Sequence, residues 1–288
     1  MNMMIRHPQT MLRARSGESL TESQMRQIAP SLFAPAPHES RSERYVYIPS
    51  TEIMAGLDRA GFQPVEVRQA RSRDISRREH TKHMIRFTSR QLAERRVGDV
   101  SAEVTMVNAH DGSAGWHIMG GLFRLVCLNG MVCPEGVVQS YSVRHSGNSE
   151  KIISQVVEAA NAVVENSHRA LEAPRRWSGL ELSRDEQMAL AESARVARFG
   201  DSDGNVSSPI TAQQMLIPRR PADQGRDLWR TFNVLQENAI RGGLTGTTRD
   251  ERGRMKRSTT REVRSIDTDV KLNRALWMLA EKMAELKG

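Results

Sequence analysis

Five histidines, His80, His83, His110, His117 and His145, fall in the first half of the chain, and Asp111 directly follows His110. Imidazole and carboxylate groups are ligands for catalytic metals, and a metal-activated water held by His110, Asp111 and His117 would suit phosphodiester hydrolysis. Against this, the spacings match no standard zinc or two-metal pattern. The run Asn108-Ala109-His110-Asp111-Gly112-Ser113 also has the composition of a hairpin turn, where Asn, Asp and Gly serve backbone geometry. No metal, cofactor or catalytic residue is therefore assigned. Cys127 and Cys133 stand in apolar runs, where a thiol is ordinarily inert. Gly242, Gly243 and Gly246 do not make a phosphate-cradling loop, because an expected helix enters them rather than leaves them.

The cations are more informative. The chain has a formal net charge of +8, concentrated in two segments. Residues 68–96 carry ten Lys or Arg against Asp74, Glu79 and Glu94, and residues 249–264 carry seven against Asp250, Glu251 and Glu262. Clustered cations bind a polyanion by releasing its counterions, without reading bases. The expected partner is nucleic acid, and the expected binding residues are Arg71, Arg73, Arg77, Arg78, Lys82, Arg86, Arg144, Arg254, Lys256, Arg257 and Arg261. The competing reading is a pair of solvated loops. Arg86, Arg124 and Arg144 lie in expected strands, where three guanidinium groups would form a track for a phosphate backbone. The alternative for these three is pairing with Glu103, Glu135 or Glu158, and Arg124, inside an apolar run, needs a carboxylate or a groove. Arg230, Asn233, Glu237 and Arg241 are spaced to share one helix face, either lining a cleft or tied together through Glu237.

The elements that must hold these residues follow from periodicity and punctuation. Residues 1–43 mix Pro, Ser and charges and read as a largely disordered tail, with a short helix that Thr21 caps through Gln24. Strands are expected at 44–48, 62–70, 83–88, 100–107, 116–128, 131–133 and 137–144, with a helix at 50–60 that ends at Gly61. Asn129-Gly130 between apolar runs predicts a tight hairpin turn. A helix over 150–173 shows an apolar stripe of Ile152, Ile153, Val156, Val157, Ala160, Val163 and Val164. Ser183 with Glu186 caps a helix ending at Gly200, and another runs over 223–241. Trp229, Phe232, Leu276 and Trp277 read as core. The last helix, capped by Asp267, carries Leu272, Leu276, Leu279, Met283 and Leu286 at alternating spacings of four and three, the pattern of a helix that packs on a partner surface, within the chain or on another copy.

These expectations define an α+β chain: a central antiparallel β-meander covered by helices, with a helical C-terminal half. After the tail, residues 44–288 form a single domain, sheet-rich over 44–148 and helical over 149–288, with a mobile basic loop at 242–264. No apolar stretch is long enough for a membrane span or a signal-peptide core, and two cysteines make no disulfide framework, so a cytoplasmic protein with reduced thiols is expected.

Several segments resemble a known family. They are residues 45–61 with Pro64-Val65, Lys82-His83-Met84-Ile85-Arg86-Phe87, Asn108 to Ser113, residues 121–132, Val143-Arg144-His145-Ser146-Gly147, Arg219-Arg220, 227–243 and 265–281. Together they resemble the plasmid- and phage-borne family labelled "phage/plasmid-like protein", a domain of unknown function. Ala109 stands where that family more often has Ser. The resemblance implies a mobile-element setting, near replication, recombination, repair or counter-defence genes, and no established activity.

The leading functional expectation is a non-enzymatic DNA-binding protein of a plasmid or phage. It would bind or anneal single-stranded DNA in recombination or replication and self-associate through its C-terminal helix. A meander followed by a long helix is the layout of single-strand annealing proteins, a fold-level analogy. The alternatives are a metal-dependent nuclease using His110 and Asp111, and a counter-defence factor that binds a host protein.

Overall fold

Residues 11–42, 45–74, 76–94, 96–124, 129–133, 140–144, 148–201, 205–249 and 252–288 are described by a computed structural model. The chain divides into two compact units. The first comprises Met1–Arg96, Ser101–Gly121 and Glu135–His168, and the second Val97–Val100, Leu122–Pro134 and Arg169–Gly288. The segments of the two units interleave along the chain.

The first unit begins with β1 (Met11–Arg13) and α1 (Glu22–Ile28). Thr21 and Gln24 cap α1 reciprocally: each side chain accepts the other residue's backbone N–H, as the spacing predicts. A 3-10 turn at Pro30–Phe33 follows. Leu20, Met25, Ala29 and Leu32 are buried, so residues 11–42 are a packed part of the unit rather than the expected tail. Four apolar side chains spaced among polar ones are enough to seat the segment on a core. Residues 45–49 form no strand. Next come α2 (Ser50–Arg59), β2 (Phe62–Gln69), β3 (His83–Ser89), α3 (Arg90–Glu94), β4 (Arg96–Val97), β5 (Val100–Asn108), β6 (Trp116–Arg124), β7 (Asn129–Val132), β8 (Tyr141–Val143) and α4 (Ser149–Ser178), of which β7, residues 97 and 100, the end of β6 from 122 and the end of α4 from 169 belong to the second unit. Gly61, with φ at +85°, ends α2 where the sequence places the stop.

The sheet follows chain order, β1-β2-β3-β5-β6-β7, with β4 on β5 and β8 on β6. Its described ladders are antiparallel, which makes the fold α+β with a meander as expected. Along α4, Ile152, Val156, Ala160, Val163 and Val164 are buried, and Gly56 of α2 meets Ile153 so closely that an added Cβ would stand 2.9 Å from its Cγ2. Asn129 and Gly130 lie inside β7 and not in a turn. A two-residue type I′ turn needs positive φ at both positions, and Gly130 does not have it. Residues 125–128 of that expected hairpin, Cys127 among them, lie outside the described residues. Cys133 is buried.

The second unit contains α5 (Arg184–Phe199), α6 (Ala212–Met215), α7 (Leu228–Arg241), the two-stranded ribbon β9 (Thr245–Arg249) and β10 (Met255–Thr259), and α8 (Ile266–Lys287). Ser183 with Glu186 and Thr211 with Gln214 cap α5 and α6 reciprocally. Asp227 caps α7, and residues 221–223 form a separate 3-10 turn, so the helix starts later than expected. Trp177, Trp229, Phe232 and Trp277 form an aromatic core, with Trp177 5.0 Å from Trp277 and 5.3 Å from Phe232 between ring centroids. Ser265, not Asp267, caps α8. This helix packs on α5, α7 and β7 through Leu272, Leu276, Trp277, Ala280 and Ala284. Leu286, expected on the packed stripe, is 74% exposed. The expected mobile loop at 242–264 is largely the β9–β10 ribbon. Among the described residues no helix is long and apolar enough to cross a membrane.

Candidate nucleic-acid interface

The first basic segment is an ordered excursion between β2 and β3. Ala70 N–H donates to Lys82 O at 2.8 Å, Gln69 Nε2 to Arg78 O at 2.9 Å, and Thr81 Oγ1 to Ala70 O at 3.2 Å, closing its base. Near its tip Asp74 Oδ1 accepts from both the Ser76 backbone N–H and the Ser76 hydroxyl, and these bonds hold the carboxyl below its ordinary pKa. Arg71, Arg73, Arg77 and Arg78 are exposed and Lys82 half-buried. Arg77 pairs with Asp74 at 3.4 Å. Arg71, Arg73 and Arg78 have no carboxylate within 4.0 Å among the described residues, and neither has the exposed Arg144 beyond β8.

The second basic segment is the ribbon, in which Met255 pairs with Arg249, Lys256 with Thr248, Arg257 with Thr247, Ser258 with Gly246 and Thr259 with Thr245. Thr260 N–H donates to Leu244 O and Gly243 N–H to Thr260 O, each at 2.8 Å, so the pairing extends to the end of α7. Gly242 there has φ at +63°, and an added Cβ would stand 2.6 Å from the Arg261 carbonyl carbon. Arg254, Lys256, Arg257 and Arg261 are exposed; the last three have no carboxylate within 4.0 Å among the described residues. The two basic segments belong to different units.

Arg86 is a correction to the expected site. It is fully buried in β3, opposite Glu66 of β2, with its guanidinium 3.8 Å from Glu66 and 3.7 Å from Glu103. Arg13 bonds both carboxylates and Arg68 bonds Glu66 at 2.6 Å. Burial raises the Glu66 pKa, but Arg68, Arg86 and Arg13 outweigh it and hold the carboxyl at about 2. For Glu103 burial prevails over Arg13 and Arg86, and its pKa is raised. Arg124 likewise takes carboxylate partners: Asp99 at 3.0 Å and the buried Asp223. Asp223 also receives Arg220, which bonds the buried Glu237 in turn, and Glu237 accepts from Arg241 at 2.9 Å. Arg230 instead pairs with Asp227, and buried Asn233 donates to the Trp229 carbonyl of its own helix. Of the four residues on that face, Glu237 ties Arg241, while Arg230 and Asn233 take other partners.

The histidines resolve into a buried relay and scattered positions. His83 Nδ1 lies 3.0 Å from Ser31 Oγ, His83 Nε2 3.0 Å from Ser50 Oγ, and Ser50 Oγ 3.0 Å from His110 Nε2. All four residues are fully buried. Tyr47 meets the His110 ring edge-on, and burial with Glu52 nearby pushes its hydroxyl up to about 12. Asp111 Oδ1 accepts from Ser113 N–H at 2.9 Å, the turn geometry of its sequence context. His117 is exposed, 3.2 Å from Ser142 Oγ, and His80 stacks edge-on against His38. His145 lies outside the described residues. No group of three or more His, Cys, Asp or Glu is placed to hold a metal among the described residues. Ser31 and Ser50 were not singled out in the sequence, because a lone serine carries no spacing signal.

The family described as "Domain of unknown function (DUF932)" matches residues 37–277. The chain belongs to this family. It is 43% identical to the UPF0380 protein YafZ and 42% identical to the UPF0380 protein YfjQ, both of Escherichia coli (strain K12), each over 273 residues and 93% of both chains. No solved structure matches. The span shared with the DUF932 family contains both basic segments, the His83–Ser50–His110 part of the relay and the Arg124 network. Ser31 and Arg13, which complete the two buried clusters of the first unit, precede it.

Proposed function

We propose that the protein binds nucleic acid, and single-stranded DNA in particular, as a non-enzymatic component of recombination or replication in a plasmid or phage. It would act in the cytoplasm and self-associate through its C-terminal helix. The observation that carries this reading is the set of exposed cations without a carboxylate within 4.0 Å among the described residues: Arg71, Arg73, Arg78 and Arg144 in the first unit, Lys256, Arg257 and Arg261 in the second. In the same protein Arg13, Arg86, Arg124 and Arg220 are consumed by acidic partners. Unpaired surface guanidinium groups can exchange their counterions for phosphates, and they leave bases free to pair. The clipped base of the 70–82 loop lowers the ordering entropy that binding must overcome.

The test is a fluorescence-anisotropy titration of a labelled oligo-dT with the full chain across a salt series. Affinity should fall steeply between about 50 and about 200 mM salt, and the triple variant Arg71→Ala, Arg73→Ala, Arg78→Ala should flatten the log–log slope by about 2. Absence of single-strand affinity at low salt overturns the reading. Mass in solution with and without the oligonucleotide checks the proposed self-association.

A further inference from the structure

The β9–β10 ribbon has two chemically different faces. Side chains alternate along a strand, so the register puts Thr245, Thr247, Met255, Arg257 and Thr259 on one face and Gly246, Thr248, Lys256 and Ser258 on the other. The second face rests on the chain: a Cβ added at Gly246 would stand 1.8 Å from the Pro209 carbonyl oxygen. The first face points away from that contact. On this face Thr247, Met255, Arg257 and Thr259 are exposed and Thr245 is half-buried; on the other Gly246, Thr248 and Ser258 are half-buried and Lys256 is exposed.

We propose that this outward face lies in the major groove of duplex DNA, an inference that rests on the nucleic-acid-binding reading above. Dimensions select the groove. Two strands lie about 4.8 Å apart. A major groove about 12 Å wide admits a two-stranded ribbon, and a minor groove of about 6 Å is too narrow for one. Five residue pairs at about 3.4 Å per step reach along about four base pairs. The chemistry agrees with the dimensions. Arg257 occupies the central pair opposite Thr247, where a guanidinium reaches guanine O6 and N7 or a phosphate. The hydroxyls of Thr245 and Thr259, 2.9 Å apart, supply donors and acceptors at one end, and exposed Met255 supplies an apolar contact at the other. Charge is complementary as well, because residues 249–264 carry seven cations against three carboxylates. Arg261, exposed just beyond β10, is available to the phosphates. A single strand and a duplex are the substrate and product of strand pairing, so a duplex site is what an annealing protein needs in addition to a single-strand site.

The test titrates the full chain against a labelled mixed-sequence duplex and, in parallel, against oligo-dT at the same low salt. The wild type should bind both. Methyl green, a major-groove ligand, should compete for the duplex, and distamycin, a minor-groove ligand, should not. Thr247→Glu should lower duplex affinity relative to single-strand affinity by about tenfold, with Arg257→Ala as a second variant whose smaller side chain leaves the ribbon intact. Competition by distamycin alone, an unchanged affinity ratio in both variants, or binding of oligo-dT without the duplex overturns the duplex site and leaves the single-strand reading standing. Binding of neither nucleic acid overturns both.

Discussion

Glu66 shows what a single buried carboxylate does in this protein. Its pKa in the fold, about 2, lies below its ordinary 4.5, because Arg68, Arg86 and Arg13 outweigh the burial that would raise it. A depressed carboxyl contributes stability that is fully present above its unfolded pKa and is lost as pH falls through the folded one. The contribution is about 3 kcal/mol, at 1.36 kcal/mol per unit. Glu66→Gln should therefore lower stability by about that amount at neutral pH, and the gap from the wild type should close between about pH 4.5 and about pH 2. Urea denaturation at both ends of that window checks this. Arg86 illustrates why the site was only partly legible in the sequence. It sits between Ile85 and Phe87, so alternation puts it on the face opposite two apolar side chains, which reads as solvent. Pairing with Glu103 is an alternative the sequence offers; the strand register adds Glu66 opposite Arg86 and makes an expected phosphate ligand part of a buried ion cluster. Arg71, Arg73 and Arg78 needed no register, since a polar loop is exposed wherever the sheet places it.

Among the elements, those defined by local chemistry were legible. Thr21 with Gln24 and Ser183 with Glu186 satisfy orphan helix N–H groups within four residues, so the pattern and the structure agree. The elements missed were those defined by what they touch. β9 and β10 are rich in Thr, Arg and Gly with few large apolar side chains, so no hydrophobic alternation announces them; their position depends on a close approach at Gly246. Replacing that glycine tests the contact. In Gly246→Ala the new methyl has no room against the Pro209 carbonyl, a backbone atom that cannot rotate aside. The substitution should cost about 1–3 kcal/mol and accelerate amide exchange along both ribbon strands. A melting curve and hydrogen–deuterium exchange that match the wild type would show that the ribbon does not depend on this approach.

On the scale of the whole molecule, charge segregation was visible in the sequence but the division into two units was not, because segments 97–100 and 122–134 belong with residues 169–288 and no composition change marks them. Each unit has its own core. The first is built on the sheet, with the His83–Ser50–His110 relay and the Glu66–Arg86–Glu103 cluster, and the second on Trp177, Trp229, Phe232 and Trp277. The N-terminal strand β1 serves only the first of these cores. It extends β2 through Met11, Leu12 and Arg13, and Arg13 bonds both Glu66 and Glu103. Removing residues 1–13 deletes one edge of the sheet and one of the cations that neutralise two buried carboxylates, a loss of about 3 kcal/mol or more. Amides of β2, β3 and β5 should then exchange about 100-fold faster, the population change that such a loss implies. Amides of α5, α7 and α8, held by the aromatic core, should keep their protection. Uniform acceleration throughout the chain would show instead that the two cores open as one cooperative body, and unchanged exchange in β2 would show that Arg68 and Arg86 suffice to neutralise the carboxylates.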